Sequence, residues 1–133
     1  MPAGFWPPGL KGTTGGAIGP DRALCVAEGA LGRVTLIDQS NGKATTFASG
    51  LPPAIAPIGG AIDLVFVGST AYVLVTLVGS DVGGSSVDGI YRIDGPTSFT
   101  VVADIGAFAL AHPPVAEIFL VRLRWSDGVA SCR

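Results

Sequence analysis

Charge is scarce in this sequence. Only 14% of its 133 residues are Asp, Glu, Lys or Arg, against about a quarter in an ordinary soluble domain. The net charge is −2, with no basic or acidic block. Phosphate binding needs a cationic patch, so nucleic acid is not an expected partner. Arg122, Arg124 and Arg133 cluster near the C-terminus beside the single aromatic Trp125, which is too little for such a patch. Histidine is reduced to His112, and the two cysteines, Cys25 and Cys132, form no CxxC or His-Cys spacing. A zinc signature is therefore missing, and Cys25, inside an apolar run, reads as a small buried hydrophobe. Capped apolar stripes of 3.6-residue period are missing too. Ala107 to Ala111 has room for one helical turn before Pro113-Pro114 stops it.

Two further absences concern membranes. Met1 to Leu10 has neither a basic region nor a long apolar run, so it does not read as a signal peptide, and nothing else indicates a location. Ala61 to Val78 is mostly apolar, but Asp63 lies near its start and Gly68-Ser69-Thr70 near its middle. An Asp is costly in lipid, and the Gly-Ser-Thr break suits a tight turn between two strands, so no membrane span is expected.

What the chain has is apolar residues, 48% of the total, with 20 Gly and 10 Pro. The glycines follow no period of three, which excludes a collagen-like chain. Two stretches match in order: Ala17 to Leu51 and Ala61 to Ile105. Leu24-Cys25-Val26 aligns with Tyr72-Val73-Leu74, Arg33 to Asp38 with Gly89 to Asp94, and Thr46-Phe47-Ala48 with Val101-Val102-Ala103. Each unit reads as four short strands, near 16–19, 23–28, 33–38 and 44–48, then 61–67, 71–77, 89–94 and 99–104. Gly19-Pro20-Asp21, Asn41-Gly42, Gly68-Ser69 and Gly95-Pro96 supply turn chemistry between them. Asn41-Gly42 marks a hairpin because both residues tolerate positive φ.

A repeat of about 40–50 residues with four strands is the size of a β-propeller blade. The expected fold is all-β: a propeller fragment of about two four-stranded antiparallel blades. Residues 1–133 form one partial domain, with blade-like units at about 16–51 and 61–105 and an atypical tail at 106–133. Inner strands such as Val65-Phe66-Val67 are apolar on both faces, as strands between neighbouring blades should be. Such blades expose apolar faces and strand edges, so self-association is expected of the isolated chain.

The phrases GPDRALCVAEG, GRVTLID, GLPP, STAYVLVTLVGSDVGG, GIYRIDGPTSFTVVADIGAFALA and HPP resemble the ScyD/ScyE family. These are propeller-like proteins similar to the six-bladed NHL-repeat and gluconolactonase-like propellers. The likeness runs from Gly9 to about Phe119 and departs at Cys25, where family members commonly have Tyr. It also fails from Val121 to Arg133, and family members continue into further blades, so the chain looks like a truncated or frame-shifted copy. The resemblance implies a non-enzymatic scaffold or binding module whose partner, a protein or a small-molecule ligand, is not identified. The alternative it implies is part of a metal-dependent lactonase or hydrolase, inactive as this piece.

Under that alternative, Glu28 resembles the acidic metal ligands at a propeller's channel mouth, joined at most by Asp63 and Asp104. A hard cation wants several oxygens converging from different blades, and two blades supply too few. The residues themselves read Glu28 as a strand-end acid that satisfies loop amides. Glu28 and Asp63 thus stand as candidate ligand-binding residues, with no catalytic residue, no metal site and no cofactor expected. The loop from Gly79 to Asp88 matches neither an EF-hand nor a phosphate loop and reads as a flexible insertion. His112, before two prolines, has no nucleophile elbow to serve. Asp38 and Asp94, at equivalent repeat positions, suit a turn role.

Overall fold

The structure is a computed structural model, and it describes residues 9–113. Eight strands follow in order: β1 (Thr13–Ile18), β2 (Leu24–Glu28), β3 (Arg33–Ile37), β4 (Ala44–Ala48), β5 (Gly60–Val67), β6 (Thr70–Thr76), β7 (Gly89–Gly95) and β8 (Ser98–Asp104). They make two four-stranded antiparallel sheets, each in simple meander order, β1-β2-β3-β4 and β5-β6-β7-β8. A helix, α1 (Ile105–Ala111), follows β8. It is longer than the one turn expected at Ala107 to Ala111, because the Asp104 carboxylate accepts a hydrogen bond from Ala107 N and caps it. The apolar stretch 61–78 is the β5–β6 hairpin and its exit. Among the described residues no helix is long and apolar enough to cross a membrane.

The hairpin at Asn41-Gly42 is wider than a two-residue turn. Asp38 N donates to Lys43 O and Gly42 N to Asp38 O, and only Gly42 takes a positive φ, 73°. The reason is Asp38: its Oδ1 accepts from both Ser40 N and Ser40 Oγ, folding the chain back before Asn41 is reached.

The two sheets share two irregularities. A β-bulge falls between Thr13 and Gly15 in β1 and between Ala61 and Asp63 in β5. A second falls where β3 passes to β4, between Val34 and Thr35, and where β7 passes to β8, between Ile90 and Tyr91. The ladders also correct the alignment read from the sequence. Val34 lies opposite Ala27 while Ile90 lies opposite Leu74. With Val34 matched to Ile90, Ala27 therefore matches Leu74, and Cys25 matches Tyr72 and not Val73. A one-residue slip moves every side chain to the other face of the sheet, so the correction decides which faces meet.

Opposed residues in an antiparallel ladder point to the same side. In the first sheet, Cys25, Ala27, Val34 and Leu36 share the face that meets the second sheet. In the second, Leu64, Phe66, Ala71 and Val73 answer them. The rings of Phe47 and Phe66 meet edge-on across the junction, centroids 5.9 Å apart. Cys25, Ala27, Val34, Val73 and Val75 are all buried, and each buried valine is worth roughly 1.5–3 kcal/mol. The junction is tight because glycines line it: a Cβ on Gly29 would sit 2.2 Å from Gly59 O, and one on Gly60 2.4 Å from Gly29 O. Two hydrogen bonds complete it, one between backbones, Ser49 N donating to Pro96 O at 2.8 Å, and one from a side chain, Thr14 Oγ1 donating to Ile62 O at 2.7 Å.

Candidate functional site

Glu28 ends β2, and the hairpin register places it opposite Arg33, with Thr35 two residues further along the same face. This face turns away from the second sheet. The carboxylate is 0% exposed and is met from three sides. Lys11 N donates to Oε1 at 2.9 Å, Arg33 Nε to Oε2 at 2.6 Å and Arg33 Nη2 to Oε1 at 3.4 Å. The Thr35 hydroxyl also donates to Oε2. Burial pushes the carboxyl up, but the hydrogen bonds from Arg33, Thr35 and Lys11 outweigh it and hold Glu28 below the usual glutamate range. Its lone pairs are taken by the protein's own donors, which extends the structural role read from the sequence: the acid satisfies a loop amide and, in addition, a buried ion pair.

Asp63 stands apart. It follows the β5 bulge, is exposed, and accepts a hydrogen bond from Leu64 N at 2.9 Å. It borders a shallow groove lined by Val65, Tyr72, Leu74 and Ile90 on the far face of the second sheet. Asp104 is at the end of β8 as the cap of α1. The structure therefore does not bring Glu28, Asp63 and Asp104 together, and among the described residues no group of three or more His, Cys, Asp or Glu side chains could hold a metal ion.

The long insertion after β6 is stitched to itself. A short 3₁₀ turn, Ser80–Val82, is followed by Gly84 N donating to Gly79 O at 2.8 Å and Ser86 N to Val78 O at 3.1 Å. Asp88, which the sequence reading did not single out, is the clamp. Its Oδ1 accepts from Val78 N at 2.9 Å and its backbone oxygen accepts from Ile105 N and Gly106 N. Asp81, Asp88 and Asp104 border a cavity of about 250 Å³ between this loop and α1.

The remaining candidates are structural in their contacts. Asp38 makes the turn described above, and its hydrogen bonds from Ser40 lower its carboxyl. Asp94 differs from it: it accepts from Arg92 Nε at 2.7 Å and from Thr100 Oγ1 at 2.5 Å, which lowers it through side chains and not through a turn. His112 is exposed and stacks on Phe108, centroids 4.2 Å apart, with Nδ1 3.1 Å from Phe108 O. Cys25 is buried, and burial raises its thiol. Trp125, Cys132 and the three C-terminal arginines lie outside the described residues. Alternation could have revealed the Arg33–Glu28–Thr35 set, since positions flanking a hairpin turn face each other in pairs.

No family model matches the chain, and no curated protein matches it. Among solved structures it is similar to the PQQ-bound form of aldose sugar dehydrogenase from Streptomyces coelicolor, with a TM-score of 0.55 and 19% identity over 71% of this chain. The chain spans 30% of that protein's length. That protein is a β-propeller, and at this identity the likeness speaks for the fold alone. The chain is all-β, and its two four-stranded antiparallel sheets are blades of propeller type.

Proposed function

We propose that the chain is a non-enzymatic propeller scaffold or binding module of ScyD/ScyE type, whose blades associate with further blades or partners through their uncovered faces. The observation that carries this reading is the saturation of Glu28. The one acid whose position resembles a propeller metal ligand has all its near donors from Lys11, Arg33 and Thr35. A metal ion there would have to displace a 2.6 Å ion pair, and among the described residues no group of three or more His, Cys, Asp or Glu side chains offers it a site. This favours the scaffold over a metal-dependent lactonase.

The second support is the uncovered apolar surface. Val65, Val67, Phe99, Val102 and Ile105 are all exposed on the second blade or next to it. Val65 and Val67 share one face of that blade with Tyr72, and an exposed apolar face marks an interaction surface. Self-association of the chain is part of this reading. The test is hydrolysis of a sugar lactone by the purified chain with added calcium or zinc. The scaffold reading expects no turnover above buffer. Turnover that disappears in Glu28→Gln would overturn it in favour of the lactonase.

A further inference from the structure

We infer that the outer face of the second blade, centred on Val65, Tyr72, Leu74 and Ile90, is a docking site for a second copy of this chain, which presents the outer face of its first blade around Ile18, Leu24 and Val26. The inference rests on the self-association proposed above and names the two surfaces that carry it.

The corrected register supplies the argument. Superposed by their ladders, the covered face of the first blade (Cys25, Ala27, Val34, Leu36) corresponds to Tyr72, Leu74, Ile90 and Arg92 of the second. The first set is covered by the second blade of the same chain. The second set has no blade over it among the described residues: Val65 and Val67 beside it are 56% and 65% exposed, and a shallow groove runs between Val65, Tyr72, Leu74 and Ile90. What covers the first set is the face holding Phe66, Ala71 and Val73. Its counterpart on the first blade, by the same superposition, is the face of Leu24 and Val26. That counterpart is half-buried at Leu24 and Val26 and 56% exposed at Ile18. Glu28, Thr35 and Ile37 on the same face are already buried, so an approaching copy meets it along Ile18, Leu24 and Val26.

Each copy thus carries both halves of a junction whose form is already realised inside the chain. The contact is heterologous: one face on one copy meets a different face on the next. This separates it from a two-fold dimer, in which one patch would meet itself.

The test uses the full chain in sedimentation velocity over a range of micromolar concentrations. Wild type forms species larger than a monomer. Val65→Glu and Ile18→Glu each place one charge on one half of the junction and shift the midpoint of association at least tenfold in concentration, with strand content by circular dichroism unchanged. The diagnostic step is mixing. Val65→Glu retains its Ile18 face and Ile18→Glu retains its Val65 face, so an equimolar mixture forms a one-to-one dimer that grows no further. If Val65→Glu loses its strand spectrum, Val67→Glu on the same face takes its place. A wild-type chain that stays monomeric throughout overturns the self-association reading and this inference with it. Wild type that associates while Val65→Glu associates equally well overturns the face assignment alone. Ile18→Glu that still dimerises by itself, where Val65→Glu does not, replaces the head-to-tail contact with a two-fold one.

Discussion

Replacing Glu28 with alanine removes the acceptor at the centre of the first blade's polar cluster and strands three donors. Their fates differ. Lys11 is exposed, so water takes over its amide at little cost. Arg33 keeps 35% of its side chain in solvent, so its guanidinium turns outward and recovers most of its hydration. Thr35 is 3% exposed and cannot do the same. A buried donor left without an acceptor costs about 1–3 kcal/mol, and half of a buried ion pair left alone costs about 3–5 kcal/mol, here discounted for the partial exposure of Arg33. The expected loss is about 3 kcal/mol, a large share of the roughly 5–15 kcal/mol of a typical domain. In melting temperature that is roughly 10 °C.

The second blade indicates how the loss is recovered. Matched through the ladders, Glu28 and Thr35 correspond to Val75 and Tyr91, both buried. The double replacement Glu28→Val with Thr35→Val removes the acceptor and the trapped donor together. It should return to within about 1 kcal/mol of wild type, since apolar replacement of a buried polar set is often neutral. Urea unfolding at concentrations below association measures all three proteins. The acid limb gives a second readout. Glu28 has a lowered carboxyl in the folded state, so its contribution is present above the ordinary glutamate value of 4.5 and fades as the pH falls through the folded value below it. Glu28→Gln should flatten that limb relative to wild type. A Glu28→Ala protein within about 0.5 kcal/mol of wild type would refute the cluster's structural role, because surface changes fall in that range.

Gly29→Ala should destabilise the blade junction by about 1–3 kcal/mol, since its Cβ would lie 2.2 Å from Gly59 O; chemical unfolding that leaves the midpoint unchanged would show that the strands part there easily. Asp104→Ala should cost about 1 kcal/mol locally, read as faster hydrogen exchange at the first amides of α1 with the β-sheet amides unchanged. Isothermal titration with calcium should give no dissociation constant as tight as about 10⁻⁶ M, the range of sensor sites; tighter binding would point to the acids bordering the cavity at Asp81, Asp88 and Asp104.

Most of the strand plan was legible because its signals are local. Turn residues separated the runs and β-branched residues filled them, so β4 at Ala44–Ala48 coincides with the expected strand and the others differ by a residue or a few at their ends. β1 begins earlier than expected, at Thr13, since Thr13 to Gly16 carry no apolar signal and are held by pairing with β2. The role of Glu28 was legible in kind, as a strand-end acid that satisfies loop amides, but its partner Arg33 was not singled out, although the hairpin sets the two opposite each other. The role of Asp88 was hidden because its partner, Val78 N, is ten residues away across an insertion, beyond the reach of turn patterns.

The alignment of the second strands went wrong for a physical reason that bears on function. Leu24-Cys25-Val26 and Tyr72-Val73-Leu74 are apolar throughout, and a strand apolar on both faces has no alternation in its sequence to fix its phase. Either phase looks equally good as a string of side chains. The ladders break the tie through their polar and small members: Glu28 opposite Arg33 in one blade, Val75 opposite Gly89 in the other. Under the sequence alignment, the uncovered outer face would correspond to the covered side only by reversing the blade, and Val73, which is fully buried, would stand where an exposed docking face is needed. With the phase corrected, Tyr72 takes the place of Cys25. The outer face of the second blade then becomes the repeat of a surface already covered by a blade, which is the physical basis for expecting another blade face upon it.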